Sequence, residues 1–474
     1  MWRKILLATL FLATLFPEII TSQVVKLTLD EAIKTALENN RKIEIAKMDV
    51  EKANAAVKEA FGYALPTVDF SAGLTHFLKK PMVAFPDFNA MLNNSTYGIL
   101  FNEGLIPYDP NKLMPMGYKL QSFALANNYE AKFTVSQILF NSAVFRGIGA
   151  SKIYLNLAKV KLKETVSKTV YDVKKAFYGV LLTKELYKIA EARYDNALAH
   201  LKNVEEMNAH GLVPEFTVMR VKVEVENIKP YLKRLENAHT DALNGFKILL
   251  NLPQESEIEV AGEFNYTEDA LPALDDLIAE AKSNNLKIQT LKIKNQLDEE
   301  FKAIDQGAYW PTLVAFGNYA FNGTSEEWDF TQYQSSTVGV SLSINLFQGL
   351  RTKHKVEQDE IVYKQTKEQI KSLTDAIEMQ VKSKYNDLLR VRDEISAMSE
   401  NVKLAQEAYD IAESRFNQGL GNHLEVNDAD VALSKARVNY TQAVHDYLVA
   451  KAALYDLVGR VDNSYYQYVK EYLK

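Results

Sequence analysis

The chain has 474 residues, 47% hydrophobic and 24% charged, with a formal net charge of −6. That is ample apolar material for a large core, and length alone argues for about three domains. The acidic balance excludes the electrostatic footprint of a nucleic-acid binder. The lack of cysteine excludes a disulfide framework, a thiolate metal site and an acylated lipoprotein cysteine.

Residues 1–22 read as a secretory signal peptide. Arg3 and Lys4 form a basic start, 5–16 an apolar run, and Thr21 and Ser22 supply small residues near a cut. The run is too short for a transmembrane helix. No later segment approaches the roughly 18 apolar residues a spanning helix needs, so a chain that enters a membrane does so as strands. A helix is expected over 27–60, opened by the capping box Thr28–Glu31. The period then changes to two: Thr67, Asp69, Ser71, Gly73 and Thr75 alternate with Val68, Phe70, Ala72 and Leu74, the pattern of a barrel strand facing lipid on one side. Taken alone it also fits a half-buried strand of a soluble sandwich. Residues 77–128, with five prolines, read as a long loop, and a second strand returns at 133–137.

From 143 to 207 the pattern is helical. Val166, Val170, Val173, Phe177 and Val180 are spaced 4, 3, 4, 3, and the seam resumes at Tyr187, Ala190, Tyr194, Ala197, Leu201 and Val204. Such a helix forms a rod on the order of 90 Å. It breaks at Gly211-Leu212-Val213-Pro214, with Pro214 suited to the first position of a return helix that ends near Leu250. An acidic connector follows at 254–270.

The order then repeats. Asp275 and Pro311 follow Asp30 and Pro66 by the same 245 positions, whereas Leu346 and Gly419 follow Leu139 and Gly211 by 207 and 208. The difference places an insertion in the 77–128 loop, whose counterpart at 322–336 is short. In the fourth strand Val338, Val340, Leu342, Ile344 and Leu346 alternate with small polar residues. A second long seam runs from Leu388 to Phe416, and a second return helix carries Ala432, Ala436, Tyr440, Ala443, Tyr447, Ala450, Leu454 and Leu457. The divisions expected are therefore a first repeat over 23–253, the connector at 254–270, a second repeat over 271–459 and a Tyr-rich tail at 460–474.

Four strands cannot close a membrane barrel, since the smallest known need about eight. Open edges in lipid cost several kcal/mol per unpaired backbone group. The strands must be pooled between subunits. With the tip motif Arg415-Phe416-x-x-Gly419 followed by Leu424 and Asp428, this two-fold repeat resembles the TolC-type outer-membrane channels, over about 27–459. The resemblance implies a trimer with a 12-stranded β-barrel in the Gram-negative outer membrane and a 12-helix periplasmic tunnel. It implies passage of drugs or proteins in a tripartite efflux pump or type I secretion system. The implied partners are a periplasmic adaptor protein, an inner-membrane transporter of the RND, ABC or MFS class, and outer-membrane lipid.

It also implies site residues. The family's acidic pore constriction matches Glu425 and Asp428, spaced i, i+3 at the start of the second return helix, where the helix end favours anions. Asn422 with Glu425 reads as a capping box, so a bland reading of the two acids is a cap and a solvated first-turn charge. The first tip has Thr217 and Arg220 at those places, so only the second hairpin can supply an acidic ring. The tips Gly211-Leu212 and Gly419-Leu420 look like adaptor docking sites. Relatives with a polar latch use Tyr and Arg on the inner tip against Asp on the outer pair; here those positions hold Phe416, Gly421 and Thr217. The latch is missing, and apolar gate packing around Phe416 and Leu420 is expected instead. His423 reads as solvent-exposed. No His-Glu-x-x-His, phosphate loop or nucleophile elbow occurs, so no enzyme, cofactor or metal site is expected. A non-transporting coiled-coil scaffold or adhesin would explain the heptads but not the duplicated strands; a passive porin would not need the rods.

Overall fold

The computed structural model describes residues 25–264, 266–267 and 270–474; the expected signal peptide lies outside them. In chain order the elements are β1 (Val25–Leu27), α1 (Leu29–Asn39), α2 (Arg41–Gly62), β2 (Thr67–His76), β3 (Val83–Pro86), α3 (Phe88–Asn102), β4 (Tyr118–Gln121), β5 (Asn127–Phe140), α4 (Ser142–Ala209) and α5 (Glu215–Leu250). There follow β6 (Ile258–Val260), α6 (Leu274–Asn284), α7 (Leu286–Gln306), β7 (Thr312–Ser325), β8 (Thr331–Ser343), α8 (Arg351–Asn417), α9 (His423–Val458) and α10 (Lys470–Leu473). The chain divides into two compact units. One comprises residues up to Asn54, Ile153–Gln296 and Tyr363–Lys474; the other comprises Ala55–Lys152 and Leu297–Val362.

The second unit holds a four-stranded antiparallel sheet in the order β2-β5-β7-β8, so the repeats meet at the β5–β7 ladder. Directly opposed residues share a face. One rung runs Val68, Val135, Gly317, Val338, and the next on that face runs Phe70, Phe133, Tyr319, Ser336. The opposite face carries Asp69, Thr134, Asn318, Thr337 and then Ser71, Lys132, Ala320, Ser335. The sheet is therefore apolar on one side and polar on the other, and the apolar side is bare: Val338 is 87% exposed. The outer edges of β2 and β8 pair with no strand among the described residues. No described helix is long and apolar enough to cross a membrane.

Three expectations about this unit change. β5 and β7 are each 14 residues long, and β8 starts at Thr331 and ends at Ser343, so the loop expected at 322–336 shrinks to 326–330. Cross-strand pairing carries β7 past the point where its alternation fades. Residues 77–128 are not an irregular loop: β3 pairs with β4, and α3 lies between them with Asp87 as its cap. Tyr97 accepts from the Asp109 backbone N–H and donates to the Pro107 carbonyl at 3.1 Å, and Lys119 pairs with Asp87.

In the helical unit the repeat extends to single hydrogen bonds. The Asn40 side-chain amide donates to the Leu249 carbonyl at 2.8 Å, and Asn285 does the same to Leu457 at 2.8 Å. Each also caps the helix that follows, because its Oδ1 accepts from the backbone N–H two residues on. These residues split the helix expected over 27–60 into α1 and α2, and its counterpart in the second repeat into α6 and α7. Ile33, Ala36 and Ile43 are buried, as are Ile278, Ala281 and Ile288 245 positions later. The seams pack as the heptads predict: Val166, Val173 and Val180 in one core, Val381, Leu388 and Val391 in the other. Gly459 ends α9 at φ +76°, and a Cβ there would lie 2.6 Å from the Asn284 carbonyl oxygen. Asn251 ends α5 in the same left-handed conformation at φ 54°.

The connector is more than a polar link, since β6 pairs in parallel with β1. The Tyr-rich tail folds as a 3₁₀ turn and α10, and Tyr465, Tyr466, Tyr468 and Tyr472 pack on the first core.

Candidate functional site: the paired helical tips

Both long hairpins turn through the same chemistry. Gly211 has φ +74° and Gly419 φ +72°, the left-handed region that glycine enters without strain. The N–H of Leu212 bonds the Met207 carbonyl at 2.9 Å, and that of Leu420 the Arg415 carbonyl at 2.9 Å, closing each helix with a Schellman bond. This geometry projects Leu212 and Leu420 outward, 69% and 68% exposed. The expected gate packing therefore does not include Leu420 within the protomer. Pro214 stands one place before its predicted position, as the extended residue ahead of α5.

Glu425 and Asp428 are both exposed on the first turns of α9. The capping box expected at Asn422 is only half formed. Asn422 Oδ1 accepts from the Glu425 N–H at 3.0 Å, but the Glu425 carboxylate takes the Asn422 side-chain amide at 3.0 Å rather than a backbone N–H. The corresponding places in the first hairpin are half-buried Thr217 and exposed Arg220, whose guanidinium lies over Phe216.

Phe416 is 4% exposed and joins the hairpins through Val204, Val221, Ala412 and Val426. Beside it lies a polar layer that sequence reasoning missed. His423 is buried, not solvent-exposed: its Nδ1 is 2.8 Å from His200 Nε2 and its Nε2 is 3.4 Å from Glu224. Arg193 donates to Asp430 at 3.0 Å, and Asn203 to Asn417 at 2.8 Å. The hairpins of one protomer are thus joined by polar side chains at positions other than Phe416, Gly421 and Thr217. Burial outweighs Arg193 and pushes the Asp430 carboxyl up. The one sequence signal for this layer was a histidine at the first helical position, a place that ordinarily carries a solvated residue.

Among the described residues no group of three or more His, Asp or Glu is placed to hold a metal ion. An acidic, glycine-turned hairpin tip with a bare leucine can repel anions, attract cations and receive a helical partner.

The family model for outer membrane efflux proteins matches residues 277–460, the second repeat. The outer membrane protein TolC of Salmonella enteritidis is 20% identical over 343 residues, covering 70% of this chain and 69% of that protein. The outer membrane efflux protein BepC of Brucella suis is 20% identical over 413 residues, covering 82% and 87%. The Campylobacter jejuni CmeC outer membrane channel superposes with a TM-score of 0.72 at 15% identity over 94% of this chain and 89% of that one. The duplicated strand-and-hairpin unit, the amphipathic sheet and these matches lead to one assignment: a TolC-like channel of the Gram-negative outer membrane, whose second repeat matches the outer membrane efflux proteins.

Proposed function

We propose that this chain is one third of a trimeric exit duct that passes drugs or exported proteins from an inner-membrane transporter, through an adaptor, to the outside. The observation that supports this most is the sheet with one bare apolar face, one polar face and two open edges. In lipid that sheet is stable only if β2 of one copy pairs with β8 of the next, and three copies give a closed wall with a polar lumen. The bare leucines at the two tips fit docking of an adaptor's helical hairpin. The test uses the cysteine-free background. Ser71→Cys combined in turn with Ser335→Cys, Thr337→Cys and Ser341→Cys should give an oxidised ladder that stops at three copies in outer-membrane fractions. Deletion of the gene should sensitise the cell to drugs or abolish a secreted protein. A monomer that never cross-links, in a strain with unchanged susceptibility and secretion, would remove this reading.

Within that duct, Glu425 and Asp428 of three copies would form a ring of six carboxylates at the periplasmic mouth. Such a ring favours cations at the narrowest point. The double variant Glu425→Ala, Asp428→Ala should weaken block by multivalent cations several-fold in single-channel recordings. Unchanged block would place the constriction elsewhere.

A further inference from the structure

The layer between the hairpins has a property that the acidic ring does not. The His200–His423 contact joins two ring nitrogens 2.8 Å apart, so one carries the proton and the other accepts. If both nitrogens were protonated, two N–H groups would point at each other across 2.8 Å, the hydrogen bond would be lost and the pair would carry at least one buried charge. We propose that His200 and His423 form a proton-operated clasp, which ties α4 to the start of α9 while the pair shares one proton between these nitrogens and releases it when the pair takes up a second.

The surroundings oppose that second proton. The His200 ring lies against Phe416, with centroids 4.8 Å apart. His423 is the first residue of α9, where the helix end disfavours a cation. The cleft holds about 20 Å³, room for no more than about one water molecule to solvate a new charge. Asn427 Oδ1 is a buried acceptor beside it with no protein donor.

The other groups facing the pair come from every helix packed on it. α4 supplies Arg193 and Asn196, α5 supplies Glu224, α8 supplies Tyr409, and α9 supplies Asn427 and Asp430. Glu224 contacts His423 Nε2 at 3.4 Å, but it and Asp430 both also face Arg193, at 4.0 and 3.0 Å, which offsets their negative charge. Tyr409 stays neutral, since burial followed by Glu413 and Asp430 pushes its phenol up to about 12.

Burial, then the charge on His423, holds His200 down to about 4, although Glu224 pulls the other way. The released ring would titrate near its ordinary 6.5. A histidine depressed in the closed form stabilises that form above the ordinary value, and the stability drains away as pH falls from about 6.5 towards about 4. Asp430 moves in the opposite sense: its raised carboxyl binds a proton more readily in the closed form, so its titration cannot loosen the tip. Across the window the bias towards the closed form should fall on the order of a hundredfold per protomer.

The clasp matters to transport only if the proposed duct reading holds, but the hairpin separation can be measured without transport. Nitroxide labels at Glu206→Cys and Gln418→Cys, both exposed and on opposite hairpins, report it by double electron–electron resonance on the full assembly in detergent. The distance should lengthen between pH 7.5 and 4.5. His200→Phe, which keeps a ring against Phe416 but cannot titrate, should hold it constant. His423→Gln, a second variant in case the first does not assemble, should move the midpoint. A wild-type distance that ignores pH overturns the clasp, as does a midpoint in both variants that equals the wild type's. A pH-dependent distance in an assembly that conducts nothing would support the clasp while removing the duct.

Discussion

Val338→Arg should abolish assembly in the outer membrane, while its neighbour Thr337→Arg should assemble. The two positions are adjacent on β8 and lie on opposite faces. Val338 shares a rung with Val68, Val135 and Gly317, whereas Thr337 shares one with Asp69, Thr134 and Asn318. An arginine facing the middle of the bilayer costs about 2–4 kcal/mol, and a trimer would carry three of them. An arginine on the polar face meets water and the Asp69 side of the sheet at little cost. The measurement is the yield of heat-resistant trimer in outer-membrane fractions, read together with drug susceptibility. Equal yields from the two variants would mean that the apolar face does not meet lipid. The cost arises in each copy's own strand, so the result does not depend on how the tips behave.

Phe416→Ala should open a leak at the helical tips. The ring is buried where α4, α5, α8 and α9 converge, against Val204, Val221, Ala412, Val426 and the His200 imidazole. Truncating a buried phenylalanine costs about 3–5 kcal/mol through lost transfer energy and the cavity left behind. That exceeds what an exposed ion pair can restore, so the hairpins should part more often. The expected outcome is a rise in resting conductance and in uptake of bulky antibiotics, with Phe416→Leu recovering most of the closure. Leu420→Ala, which removes an exposed side chain, should leave the resting conductance unchanged. Equal conductance in Phe416→Ala and the parent would show that closure is not held by packing between the hairpins.

Much of this protein could be read from local pattern. The change of period at Thr67 announces β2, because a strand with water on one side and lipid on the other must alternate. The valines from Val166 to Val180 announce the long helix, because a seam must recur every seven residues to stay on one face. Gly211 and Gly419 announce the tips, because only glycine takes the left-handed turn without strain. The duplication was legible because equal spacing survives when identity does not. Asn40 and Asn285 stand 245 positions apart in the same role, each bonding the return helix of its own repeat.

What escaped the pattern lies where residues distant in sequence meet. β1 and β6 are three residues each, too short for a period, and pair only because folding brings Val25 to Ile258. The Tyr-rich tail carries no seam, yet Tyr465 and Tyr466 cover the first core.

By itself, then, the sequence determined the long helices, the barrel-type strands, their duplication, the two faces of the sheet and the glycine tips, since each depends on neighbours a few residues away. Only the tertiary structure decided that β3 and β4 order the long insertion, that β5 joins β7, and that His423 is buried against His200. Those depend on contacts between segments up to 223 positions apart, and no local period records which polar side chains will face each other once water has been excluded.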